Sequence, residues 1–292
     1  MEVDINIKDR NKKLGIYYIL GAAFGFALMG LCARLSGDLP TFEKVFFRNI
    51  VAAFFSGVLI IKNKESFGFE KKNLIPLIIR ASAGTLGLIC NFYAIDNMNI
   101  ADANMLNKLS PFFAMIFSII IMKEKAKLFD WVATIIAFLG ALLIVKPGFS
   151  STVNFAIIGV MGGLFAGMAY TAVRYLGNRG MNSNLIVFYF SAFSTVATLP
   201  LLIMNFRPMS LRQFLILLLA GFWGMVGQFC VTRAYKYARA KEISVFDYTQ
   251  VVFSAILGFL FLGQLPDIYS YIGYTIVIGI AIVRWHINLK SA

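Results

Sequence analysis

Hydrophobic runs near 20 residues long recur along the chain, with little between them. Ten can be marked off, at roughly 14–34, 41–61, 74–95, 101–122, 128–146, 154–174, 183–204, 211–234, 244–262 and 267–287. Each is long enough to cross a bilayer as a helix, and none shows the short alternating pattern of a barrel strand. The connections are short and leave no room for an extramembrane domain. The predicted fold is therefore all-α and integral to the membrane, with ten transmembrane helices.

One run breaks the apolar pattern. The stretch Asn104-Met105-Leu106-Asn107-Lys108-Leu109-Ser110-Pro111 opens the fourth span. Asn104, Asn107, Lys108 and Pro111 recur at i, i+3, i+4 and i+7, one face of a helix. Lipid gives such a face no partner, so it must look at protein or water.

Shifting the chain against itself by 140 residues aligns the span boundaries without gaps. Arg34 then meets Arg174, Gly84 meets Gly224, Gly87 meets Gly227 and Ala94 meets Ala234. Five spans per half is an odd number, so the second half enters from the opposite side. This predicts two inverted five-helix repeats, 14–146 and 154–287, between a basic tail at 1–13 and a short one at 288–292. Substrate sites of such proteins lie near the midplane between repeats. At the same shift Asn104 meets Ser244, Asn107 meets Asp247, Lys108 meets Tyr248 and Ser110 meets Gln250. The polar face of the fourth span thus has a counterpart on the ninth, as a central hydrophilic cavity requires. The expected cavity is basic toward the outer side, from Lys108, and acidic toward the inner side, from Asp247.

Composition agrees with the pattern: 59% of residues are hydrophobic and 14% charged, against about a quarter charged in soluble domains. The net charge of +13 would suggest nucleic acid in a soluble protein. Here most basic residues fall in one set of alternate short loops, among them Lys62, Lys64, Lys71, Lys72, Lys123, Lys125, Lys127, Arg233, Lys236, Arg239 and Lys241. The other set holds only Arg34, Lys44, Lys146, Arg207 and Arg212. The positive-inside rule puts both termini in the cytoplasm of a multi-pass inner-membrane protein, and no nucleic-acid partner is implied. The first run is too long for a leader h-region. Cys32, Cys90 and Cys230 read as small apolar residues, and one histidine, His286, cannot build a metal site. No Walker, GxSxG or HExxH motif is present. Neither an enzyme nor a cofactor is predicted.

The residues that could touch a substrate are few. Lys108 lies about 10 Å along its span at 1.5 Å per residue. It is either a cavity cation for an anionic group or a side chain reaching back to the interface. Arg48 is a substrate or gate cation, or an ion-pair partner of Glu43 or Asp38. Arg80 is expected to reach the cytoplasmic surface. Tyr93, Gln228 and Tyr170 complete the candidate lining with Asn104, Asn107, Asp247 and Gln250. Glu43 and Asp247 are the candidate proton carriers, should transport be coupled to protons or another ion. Gly84, Gly87, Gly224 and Gly227 are expected to let helices approach closely.

Together these features resemble the drug/metabolite transporter superfamily, EamA type. The marks are Phe42-Glu43-x-x-Phe46-Phe47-Arg48, Arg80 opening the third span, Tyr93-Ala94, Pro111, and Met122-Lys123-Glu124 before the fifth. The first of these is also similar to a subgroup that includes S-adenosylmethionine carriers. The family's acidic residue after the ninth span is Gln264 here, opposite Glu124 in the first half. The resemblance implies alternating-access transport of a small metabolite, amino-acid-like or otherwise zwitterionic, with membrane lipids as the surrounding partners. A lipid-handling subunit is the rival reading; it would turn the polar faces to a lateral groove or an oligomer interface.

Overall fold

The computed structural model describes residues 2–123, 128–145, 153–237 and 244–290. Among these the chain is helical throughout, without a strand. The helices are α1 (Glu2–Leu35), α2 (Thr41–Lys62), α3 (Leu74–Asn97), α4 (Ile100–Asn107), α5 (Ser110–Met122), α6 (Leu128–Val145), α7 (Val153–Asn178), α8 (Ser183–Met204), α9 (Leu211–Tyr237), α10 (Thr249–Leu262) and α11 (Ile268–Lys290). Short 3-10 turns occupy Lys71–Asn73 and Ser244–Tyr248. Ten stretches are long and apolar enough to cross a membrane. Large apolar side chains such as Phe54, Ile61, Ile203 and Leu260 stay exposed, as lipid-facing residues should. Lys125, Lys127, Lys146, Arg239, Lys241 and Glu124 lie outside the described residues.

The fourth span is not the continuous helix expected of it. It breaks between α4 and α5 at Lys108–Leu109, so the polar face read across residues 104–111 is cut in two. Pro111 explains the break: it has no N–H for the Asn107 carbonyl, and its ring would crowd that carbonyl. It sits instead in the first turn of α5, where a missing donor costs nothing. The ninth span breaks at the matching place, where the Ser244–Tyr248 turn gives way to α10. Val251 stands where the first half has Pro111, so no proline announces this second break. α5 and α10 also end alike, on Lys123 and Gly263, both left-handed at φ 55° and 63°.

The most extensive packing joins α1 to α9 and α3 to α7. A 140-residue shift turns the first pair into the second. It likewise turns α5 on α7 into α10 on α1, and α2 on α9 into α8 on α3, while α2–α8 and α6–α11 map onto themselves. Small residues set the closeness. A Cβ added at Gly87 would stand 3.2 Å from the Ala166 amide nitrogen, and one at Gly25 would stand 3.1 Å from that of Gly227. Lipid supplies no hydrophobic drive for helix association, so backbone proximity does that work.

Candidate functional site

The two broken spans meet at their breaks. Asn104 donates to Ser254 Oγ at 3.0 Å and to its own helix at Ile100, and accepts from Gln250 Nε2 at 2.9 Å. All three side chains are buried. Tyr248 donates its hydroxyl to the carbonyl of Lys108, one of the groups the break exposes, at 3.2 Å. Lys108 Nζ lies 2.5 Å from Asp247 Oδ2. Four of the expected cavity residues, Asn104, Lys108, Asp247 and Gln250, thus satisfy one another. Two expectations are corrected. Lys108 does not reach back to the interface, and its charge is met by Asp247. The basic and acidic ends of the expected cavity are a single ion pair, because the two breaks face each other.

Free positive charge lies elsewhere, between α2, α3 and α8. Arg48 is 2% exposed and Arg80 6%. Their guanidinium carbons lie 5.6 Å and 4.1 Å from the centroid of one ring, Phe190. Arg48 donates to Asn49 Oδ1 at 2.7 Å; Asn49 is braced by Ser194 of α8. Neither arginine pairs with an acid among the described residues, and the Nε of each is buried without an acceptor. Arg80 therefore does not reach the surface. Ser191, next to Phe190, and Asn91, further along α3, also bury unpartnered oxygens. Tyr170 of α7 lies within electrostatic range of Arg48, Arg80 and Asp247, and about half of it is exposed.

The glycines serve helix contact as expected, and two of them also border the arginines. A Cβ at Gly84 would stand 2.2 Å from Arg80 Nη1 and 2.8 Å from Phe190 of α8; one at Gly224 would stand 2.9 Å from Met29 Sδ of α1 and 3.0 Å from Arg48 Nε. A glycine one turn after Arg80 was the signal in the sequence that this side chain turns inward.

The remaining candidates separate from this cluster. Asn107 ends α4 half-buried, its backbone pressed against Gly163 of α7. Gln228 is half-buried on α9 and forms no hydrogen bond among the described residues. Tyr93 packs on Phe155, 5.9 Å between centroids, near the end of α3. At that end Lys44 binds Asp96 at 2.6 Å and the Gly37 carbonyl at 2.8 Å. Glu43 accepts the Arg207 N–H at 2.6 Å, and its other oxygen is buried without a partner. Arg48 pairs with neither Glu43 nor Asp38. A buried acid that the sequence reading passed over is Asp102, which accepts the Tyr274 hydroxyl at 2.5 Å. Gln264 accepts the Ile100 N–H at 3.1 Å and caps α4, a place where an acid would also suit the helix dipole. In the α2–α3 connection, slight burial acts upward on Glu65, but hydrogen bonds from Asn184, Asn182 and Asn63 outweigh it and hold its carboxyl below the usual range.

Comparison with known proteins agrees with this architecture. Over 91% of its length the chain is 33% identical to the pseudopaline exporter CntI of Pseudomonas aeruginosa, covering 94% of that protein. It is 27% identical to human solute carrier family 35 member G1, over 95% of this chain and 81% of that one. A solved crystal structure superposes with a TM-score of 0.64 over 92% of this chain and 96% of the other, at 14% identity, which speaks to the fold alone. The sequence profile of the EamA-like transporter family matches twice, at residues 13–146 and 154–285. This multi-pass membrane protein therefore belongs to the EamA-like transporter family, within the drug/metabolite transporter superfamily.

Proposed function

We propose that the chain is a secondary transporter that moves a small zwitterionic metabolite across the cytoplasmic membrane by alternating access. The observation that carries this reading is the pair of broken spans bonded to each other at their breaks. A break frees backbone groups at membrane depth, and such breaks line transporter sites. The exchange-invariant packing and the double family match support two inverted five-helix repeats, residues 14–146 and 154–287. Basic loops support cytoplasmic termini. On this reading Arg48, Tyr170 and the Lys108–Asp247 pair line the path. Asn104 and Gln250 hold its two broken walls together. Glu43, with one buried oxygen unpartnered, is the first residue to test for proton coupling.

The relative that exports pseudopaline makes that compound the first cargo to try. The purified chain is reconstituted in liposomes, and uptake of pseudopaline and of a panel of amino acids is followed. Flux above that of empty vesicles, reduced at least tenfold in Lys108→Ala, is expected. If no member of the panel crosses faster than through protein-free vesicles, the reading is lost.

A further inference from the structure

We propose that Arg48 and Arg80 form the seat of a dicarboxylate, so that the cargo is a small metabolite with two carboxylates close together. The inference rests on the transport reading above and names the chemistry of its substrate. Two guanidiniums lie over one aromatic ring and almost wholly out of solvent. Buried charge is ordinarily paired, and the other buried cations here obey that rule: Lys44 has Asp96, and Lys108 has Asp247. Arg48 and Arg80 have no acid among the described residues, and each keeps an unused Nε–H. The protein also leaves room beside each: a Cβ at Gly84 would displace Arg80, and one at Gly224 would crowd Arg48 Nε at 3.0 Å.

Phe190 stabilises the cations by its ring face but accepts no hydrogen bond in the guanidinium plane. Apart from the Arg48 Nη1–H given to Asn49, the planar N–H donors remain available, and the Nε–Nη2 fork matches a carboxylate held bidentately. Two forks call for two carboxylates, or for one phosphoryl group shared between them. The neighbouring groups favour carboxylates on an amine-bearing skeleton. Tyr170 lies within electrostatic range of both arginines, and its hydroxyl can accept from an ammonium group as well as donate to a carboxylate.

The test uses the full chain purified in detergent. Its apparent melting temperature is recorded with succinate, L-glutamate, L-alanine or inorganic phosphate, since a ligand that binds only the folded state raises it. Succinate and glutamate are expected to stabilise, and alanine to have no effect. Arg48→Gln and Arg80→Gln are expected to weaken the glutamate response at least tenfold in concentration, and Arg212→Gln, on the exposed start of α9, to leave it unchanged. Gly84→Ala keeps both arginines but fills the seat of Arg80; the same loss is expected, which separates the seat from the charge. Monodisperse elution of each variant shows that it is folded. The proposal is overturned by equal responses in wild type and Arg80→Gln, by no response to either dicarboxylate, or by phosphate stabilising more than both. The liposome assay separates the two readings. Flux that survives Arg80→Gln with unchanged half-saturation sinks the carboxylate seat and leaves transport standing. Arg80-dependent binding of glutamate by a chain that carries nothing sinks transport and leaves the seat.

Discussion

Two groups of buried charge lie within electrostatic reach of one tyrosine and have been solved in opposite ways. At the breaks of the fourth and ninth spans, Lys108, Asp247, Asn104, Gln250 and Ser254 find their partners in one another. Around Phe190, Arg48 and Arg80 find almost none. A satisfied network rigidifies and fixes the register of what it joins. An unsatisfied one stores a cost that an incoming partner can remove. Polarity inside a membrane span therefore does not by itself mark a binding site; the residual demand for partners does.

The contrast can be broken most directly at the ion pair. Lys108→Met strands Asp247, and removal of one partner from a buried pair costs about 3–5 kcal/mol. Because Asp247 keeps 23% of its side chain exposed, the lower end, about 3 kcal/mol, is expected in thermal unfolding. Lys108→Met/Asp247→Leu should recover most of it. Next, Asn104→Leu removes the acceptor of Gln250 and the donor to Ser254. A loss of about 2 kcal/mol is expected, from unsatisfied buried polar groups at about 1–3 kcal/mol. The arginines should respond with the opposite sign. Arg80→Gln relieves an unpaired charge at the loss of one cation–π contact, so the ligand-free protein should gain about 1 kcal/mol while flux is lost. A destabilised Arg80→Gln protein would show that the pair is structural and would end the contrast. The smallest effect is expected at Glu65, a partly exposed carboxylate bonded by asparagines. Its folded value is lowered, so its contribution is present above the ordinary carboxylate pKa and fades as pH falls through the folded one. Comparing Glu65→Gln with wild type across that range measures how far hydrogen bonding outweighs slight burial.

Much of this architecture was legible because it depends on local pattern. Ten apolar runs, alternating basic loops and the 140-residue self-match needed only the chain's own order. Pro111 marked one break; Val251 at the matching position gave no sign of the other. The site was less legible because side-chain direction in a helix near an interface depends on the next turn and on the neighbouring helix. Arg80 has the reach to leave the membrane or to turn inward, and Gly84 with Phe190 decides between them. Lys108 looked unpaired because Asp247 lies in the other half of the chain. The self-match places Asn107 opposite Asp247; the ion pair is made one residue away from that equivalence.

Gly84 and Gly224 occupy equivalent positions, yet the arginines they seat do not. Arg80 lies on the same helix as its glycine, one turn before it, while Arg48 comes from α2 to a glycine on α9. The residues equivalent to the arginines are Ala220 and Phe188. The two halves are thus filled asymmetrically. On the proposed alternating access, a cargo seated on these two forks keeps one orientation in transit, so the end that leads on entry also leads on exit.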